Sequence, residues 1–272
     1  SSNLVSNGDF SQEGSELVTN GNFATDTDWA YTTGVNQSWS ISGGTANSSG
    51  TQSGLAYFNQ NGAMVSGKTY KATFTVVSMS AGGVLIAVGG TSGTTRTSAG
   101  TYTEYITATS NQLWLRADSS FIGSITNISV KEVGQDWTVT GTDANNYVEF
   151  GDGTVRLKFL NTSPITEFYT SNNVLVGGKT YQLTVDIADA TSGGVKIDGG
   201  GISQEVFDTV GINTRIIKPT SNTNIKFYRA TANVDLTFNS VSAIEITDDT
   251  NLPRINYEGF SYDANGDIIP NS

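Results

Sequence analysis

The sequence predicts an all-β protein: two tandem antiparallel β-sandwich (jelly-roll) domains followed by an extended C-terminal tail. Three observations predict it. The chain contains two copies of one pattern. The copied blocks alternate apolar and polar residues with a period of two. The composition suits many short strands joined by tight turns, with 31 Gly and only 14% charged residues. No stretch places Ala, Leu, Glu and Lys at the three-and-four spacing of an amphipathic helix. Hydrophobicity is low, but the alternating aromatic and β-branched residues argue against disorder.

The copies are found by offset. SGKTY at 66–70 returns as GGKTY at 177–181, an offset of 111, which also relates AGGVLIAVGG (81–90) to SGGVKIDGGG (192–201). WLRA at 114–117 faces FYRA at 227–230 at an offset of 113, as does ISVKEV (128–133) with VSAIEI (241–246). DW at 28–29 returns at 136–137, an offset of 108. Small offset changes are what loop insertions between fixed strands produce. The domains are therefore placed at 16–133 and 134–247, with an N-terminal arm at 1–15 and a linker or docking tail at 248–272.

Within the first copy Tyr70, Ala72, Phe74 and Val76 share one face, with Lys71, Thr73 and Thr75 on the other. The second copy sets Tyr181, Leu183, Val185 and Ile187 against Gln182, Thr184 and Asp186. That is the signature of a half-buried antiparallel strand. The flanking Gly-Lys and Gly-Gly are turn material.

The second copy lacks an opening. Copy one begins with LVTNGNF at 17–23, before Asp28 and Trp29, whereas copy two reaches Trp137 four residues after Val133. A spare opening, LVSNGDF, sits at 4–10. It is either a leftover of a previous repeat or a flexible arm, the preferred reading, or an edge strand supplied to another domain or a neighbouring chain. The tail does not repeat and has no sustained alternation.

The net charge of −11 and pI of about 4.3 leave no basic footprint for nucleic acid. No apolar run is long enough to span a bilayer, so membrane insertion is not expected, and the first ten residues do not form a signal peptide. With no Cys and no His, disulfides and the commonest nucleophile–base pairs are excluded. Carboxylate pairs remain at Asp26/Asp28, Asp248/Asp249 and Asp263/Asp267, all in loop-like sequence and unmatched between copies. Glycoside hydrolysis needs two carboxyls across a cleft, so no enzyme is expected.

The run LVTNGNF, DW, WSISGG (39–44), VSGKTYKATFTV (65–76) and NISVKEV (127–133) resembles carbohydrate-binding-module-like β-sandwiches, the galactose-binding-like jelly rolls frequent in bacteriophage tail and virion proteins. NLPRINYEGF at 251–260 resembles a junction common in phage tail fibres, where it precedes a further lectin-like domain. The resemblance implies a portion of a longer, non-catalytic virion-surface or extracellular protein that adheres to surface glycans as a homo-oligomer. The alternative is a purely structural fibre, filament or capsid-decoration subunit joined through its termini to copies of itself or other virion proteins.

Sugars stack their C–H faces on aromatic rings and pair their hydroxyls with amides, Asp and Arg. The candidate carbohydrate-binding residues are Trp39, Tyr57, Tyr102, Tyr105, Tyr147, Tyr169 and Tyr228. Trp29 and Trp137 occupy matched positions and read as structural. Trp114 aligns with Phe227, and both read as core. Tyr228 shares a face with Lys226, which favours exposure. The matched Arg116 and Arg229 read as braces for backbone carbonyls, with ligand binding as the alternative. No cofactor is required. The resemblance implies a structural calcium, for which Asn20, Asn22, Asp26 and Asp28 are the candidate ligands. DANGD at 263–267 has alternating oxygens but reads as a hairpin turn.

Overall fold

The computed structural model describes residues 2–31, 33–34, 37–50, 52, 56–247, 260–262 and 268–270. Asp248, Asp249 and the DANGD segment lie outside them, as does most of NLPRINYEGF. Among the described residues every regular element is a strand.

The first half contains β1 (Glu13–Glu16), β2 (Ala30–Tyr31), β3 (Thr33–Gly34), β4 (Gln37–Ser42), β5 (Thr45–Ser49), β6 (Ala56–Asn61), β7 (Thr69–Ala81), β8 (Val84–Val88), β9 (Thr91–Ser92), β10 (Gly100–Thr107), β11 (Gln112–Ala117) and β12 (Ile122–Val133). One sheet runs β10-β7-β12-β5-β4-β3, with β1 also on β12, and the facing sheet runs β2-β6-β11-β8-β9. The second half contains β13 (Trp137–Thr140), β14 (Asn146–Phe150), β15 (Val155–Phe159), β16 (Glu167–Thr170), β17 (Tyr181–Ser192), β18 (Val195–Ile197), β19 (Val206–Phe207), β20 (Gly211–Ile217), β21 (Lys226–Arg229) and β22 (Val234–Glu245). Its sheets run β14-β15-β22-β17-β20 and β13-β16-β21-β18-β19. All pairings are antiparallel. In the tail β23 (Phe260–Tyr262) pairs with β24 (Ile268–Pro270).

Each half is a two-layer sandwich, because each strand buries one alternate face against the other sheet. Tyr70, Ala72, Phe74 and Val76 of β7 are all buried, as are Tyr181, Leu183, Val185 and Ile187 of β17. The opening tyrosine of each strand also closes the loop before it. Tyr70 Oη accepts the Val65 N–H at 2.7 Å, and Tyr181 Oη accepts that of Val176 at 2.8 Å. The adjacent Lys68–Glu132 and Lys179–Glu245 pairs repeat too, at 2.7 and 3.0 Å.

Two hydrophobic clusters result. The first draws on residues 18–130, with Phe23, Trp29, Phe58, Phe74 and Phe121 among its rings. The second draws on residues 133–243 and also on Val5 and Phe10. The spare opening is therefore not a free arm: it packs into the second sandwich, on the far side of the first in sequence. The Leu4 N–H donates to Ala243 O at 2.9 Å and the Val241 N–H to Gly8 O at 2.7 Å. The first sandwich makes the same contacts with its own opening, Leu17 N–H to Val130 O at 3.0 Å and Ile128 N–H to Gly21 O at 2.9 Å.

The two openings share an unusual turn. Asn7 and Phe10 have φ of 47° and 56°, and Asn20 and Phe23 have 52° and 51°. Asn tolerates this left-handed region because its short amide bonds locally, whereas Phe adopts it only where packing compensates. Phe10 sits 5.5 Å from Trp137, and Phe23 sits 5.4 Å from Trp29. Each indole N–H then donates to the carbonyl of its turn asparagine, Trp137 to Asn7 and Trp29 to Asn20.

Candidate functional site

In each sandwich the sheet without the long strands turns its outer face to solvent. In the first, β6 presents Tyr57, Asn59 and Asn61 there, and β11 presents Gln112, Trp114 and Arg116. The ladder sets Trp114 opposite Asn59, Arg116 opposite Tyr57, and Gln112 opposite Asn61. Tyr57 and Trp114 meet edge to face at 5.0 Å, and Tyr57 is 37% exposed. The Arg116 guanidinium lies 5.8 Å from the Tyr57 ring centroid and 5.7 Å from that of Trp114. Its Nη1 donates to Ser92 Oγ at 3.0 Å, and Trp114 Nε1 donates to Gln112 Oε1 at 3.2 Å. A groove of about 460 Å³ adjoins this platform through Asn59 and Asn61, with Thr19, Asp28 and Trp29 among its lining.

Trp114 is thus on the solvent face, against the expectation that it is core. The ladders show why. Leu115 pairs with Ile86 and Phe227 with Ile197, so Leu115, not Trp114, takes the place of Phe227. The offset of 113 that aligned WLRA with FYRA is one residue long for this strand, and one residue exchanges the faces. The same correction separates Arg116 from Arg229, whose Nη1 donates to the carbonyls of Asn161 (2.6 Å) and Ala232 (3.3 Å) as a brace.

In the second sandwich the corresponding face carries Glu167 and Tyr169 from β16, Lys226 and Tyr228 from β21, and Lys196 from β18. Tyr228 takes the position of Arg116, and Lys226 that of Trp114. Lys226 lies 5.2 Å from the Tyr169 ring and pairs with Glu167 at 3.0 Å. Lys196 lies 4.9 Å from the Tyr228 ring. The Tyr228 hydroxyl donates to the Asp198 carboxylate. That bond holds the Asp198 carboxyl below its usual range, while burial and then the carboxylate push the Tyr228 hydroxyl up. Tyr228, Lys226 and Asp198 border a pocket of about 410 Å³.

The other candidates are dispersed. Trp39 is only 2% exposed and packs on Phe58 and Phe121, so its ring offers no face to a ligand; it is a core residue. Tyr102 faces inward at a sheet edge, 5.6 Å from Phe74, with Arg96 over its ring at 4.5 Å. Tyr105 and Tyr147 come together in a groove of about 560 Å³ between the two sandwiches. Trp29 and Trp137 are buried at 7% exposure each, as their matched positions suggest.

Asn20, Asn22, Asp26 and Asp28 share one loop, but each is engaged there. Asn20 Nδ2 donates to the carbonyls of Thr25 and Thr27, Asn22 Oδ1 accepts the Ala24 N–H, Asp26 accepts from Tyr31, and Asp28 accepts from Thr27. A calcium ion would compete with the Asn20 amide for those two carbonyls. Among the described residues no three His, Cys, Asp or Glu side chains converge.

No family model and no curated protein matches the chain. Solved structures similar to it include the tandem CBM22 domains of Xyn10C from Paenibacillus barcinonensis, at 11% identity and TM-score 0.34, covering 85% of this chain and 97% of that one. The tandem CBM51 modules of a family 98 glycoside hydrolase from Streptococcus pneumoniae are similar at 8% identity and TM-score 0.25, covering 74% and 83%. A putative β-galactosidase from Bacteroides fragilis is similar at 13% identity and TM-score 0.22, covering 72% of this chain and 29% of that one. At such scores no residue's role passes from these proteins to this chain, and what it is rests on its own two all-β sandwiches and their outer faces.

Proposed function

We propose that the chain is a non-catalytic carbohydrate-binding protein whose first sandwich engages glycans on the outer face of β2-β6-β11-β8-β9. The observation that carries this reading is the Tyr57–Trp114 pair, two rings in contact on a solvent face and ringed by Asn59, Asn61, Gln112 and Arg116. A pyranose C–H face stacks on such rings, and its hydroxyls find amide and guanidinium partners at the rim. The face is shallow, so affinity per site is weak, and display in several copies raises it. The proposed setting is a virion surface or another extracellular surface, with the chain as a homo-oligomer; the sequence resemblance supports that part.

A glycan array followed by calorimetry on the hits tests the proposal. Binding that Trp114→Ala weakens about tenfold or more, with melting temperature unchanged, is the expected result. An absence of binding to any glycan by an ordered oligomer would favour the structural-subunit reading instead.

A further inference from the structure

We infer that the platform of the first sandwich takes a saccharide carrying an anionic group, a uronate carboxylate or a sulfate ester, through Arg116. This rests on the glycan-binding reading and narrows it.

The argument starts from charge. The chain has 25 acidic and 14 basic residues, so carboxylates are in excess. Lys71, Arg96, Arg156 and Lys226 each lie within 4.0 Å of one. Arg116 has none that close among the described residues, although it stands between two rings on a central strand. Asp118, two residues on and past the end of β11, turns its carboxylate toward Gly82 and Gly83 and the Ser120 N–H, which its Oδ1 accepts at 2.9 Å. The hydrogen bond of Arg116 goes to a neutral hydroxyl, Ser92 Oγ, and its Nε is buried without a partner. A guanidinium offers five donors in a planar fork that matches a carboxylate or sulfate. Here the fork stands against the two rings on which a sugar would stack, within one pyranose of both.

The second sandwich supplies the contrast. Its corresponding face already contains anions, Glu167 on Lys226 and Asp198 under Tyr228. The two carboxylates and the two lysines of that face, Lys226 and Lys196, balance in charge, so it offers an incoming anion no net attraction. Selectivity for charged sugars is therefore assigned to the first face, where Arg116 has no carboxylate beside it. The net charge of −11 does not attract anionic polymers, so the interaction is local and depends on contact; beyond about 8 Å it is screened at physiological salt.

The test uses the full chain and four probes: polygalacturonate, the same polymer after carboxyl reduction, a sulfated galactan, and a neutral galactan. Calorimetry is run on wild type, Arg116→Gln and Trp114→Ala, with circular dichroism to confirm folding. The expected result is binding to an anionic probe that exceeds binding to its neutral counterpart about tenfold or more. Arg116→Gln abolishes that preference and keeps the residual neutral binding, whereas Trp114→Ala loses both. Preference confined to the sulfated galactan identifies the ester as the anion. Equal binding of charged and neutral probes, unchanged by Arg116→Gln, overturns the inference and leaves the glycan-binding reading intact. No binding to any probe or array glycan overturns both.

Discussion

Trp137 Nε1 donates to the carbonyl of Asn7 at 3.0 Å, across 130 residues of chain. The bond reproduces that of Trp29 to Asn20 at 3.1 Å, where the partners are nine residues apart. The second sandwich is thus completed by a segment that precedes the first one. Its opening must wait while an entire sandwich is laid down between, so closing it carries a larger loop entropy than closing its twin.

This nesting predicts unequal truncation effects. Phe10 and Phe23 are equally buried, at 2% and 1% exposure, each against a tryptophan. Phe10→Ala should destabilise the second sandwich by about 3–5 kcal/mol and leave the first unchanged; Phe23→Ala should do the reverse. Deleting residues 1–12 should act as Phe10→Ala does, and more strongly. Hydrogen exchange resolved along the sequence checks this. Protection lost in 17–130 on deletion of 1–12 would contradict the nesting.

The turn itself gives a sharper substitution. A Cβ on Gly8 would lie 2.2 Å from Val241 O, and one on Gly21 would lie 2.0 Å from Ile128 O. Both obstacles are backbone atoms, Val241 in the ladder of β22 with β17 and Ile128 in the irregular stretch of β12 between Thr126 and Ser129, and the carbonyl of each glycine accepts a bond from the N–H of that same residue. Gly8→Ala and Gly21→Ala should each cost about 2 kcal/mol or more by forcing the opening off its sandwich. Gly67→Ala is a useful reference, because nothing lies within 4 Å of its Cβ position, although its φ of 87° adds a smaller strain. Chemical denaturation of the three variants checks the order.

Much of this was legible in the sequence. The alternation in 70–76 and 181–187 identified the inward faces, and DW at 28–29 and 136–137 marked two core tryptophans. The surplus LVSNGDF was visible as surplus, but its destination was not, since no local pattern relates residue 7 to residue 137. Two placements failed on parity. Matching Arg116 to Arg229 by identity shifts the strand by one residue and puts Trp114 inside, whereas the ladders put it outside. WSIS alternates either way, so the sequence does not say which face carries the Trp39 ring, and only its packing on Phe58 and Phe121 decides it. The platform is formed by strands joined across more than 50 residues, Tyr57 to Arg116, which sequence spacing alone does not register.

A pH dependence follows from the outer face of the other sheet. Arg156 grips Asp235 through Nε–Oδ1 at 2.7 Å and Nη2–Oδ2 at 2.8 Å, and the guanidinium holds the carboxyl below its ordinary range. A carboxyl with a depressed folded value stabilises the fold above its unfolded value, near about 3.9. That stabilisation is lost as pH falls through the folded value. Arg156 is 39% exposed, so screening limits the effect. Asp235→Asn should therefore cost about 1–2 kcal/mol at neutral pH, and the difference from wild type should shrink as the solution is acidified past the unfolded value and vanish only below the lower, folded one. Urea midpoints measured across that range decide it; a difference that persists in acid would mean packing, not charge, is what the substitution removes.

The four tryptophans give a direct reading of which faces are open. Trp29, Trp39 and Trp137 are buried at 7%, 2% and 7% exposure. Trp114 stands on the outer sheet between Tyr57 and Asn59. Acrylamide should quench one emission component far more than the rest, and Trp114→Phe should remove that component while shifting stability by no more than about 0.5 kcal/mol. Trp39→Phe should leave the quenchable component in place and destabilise the first sandwich by leaving a void between Phe58 and Phe121, at about 1–3 kcal/mol. A saccharide seated on the platform would shield Trp114 from acrylamide in wild type and change nothing in Trp114→Phe. Equal quenching in wild type and Trp114→Phe would place Trp114 inside the sandwich and remove the platform.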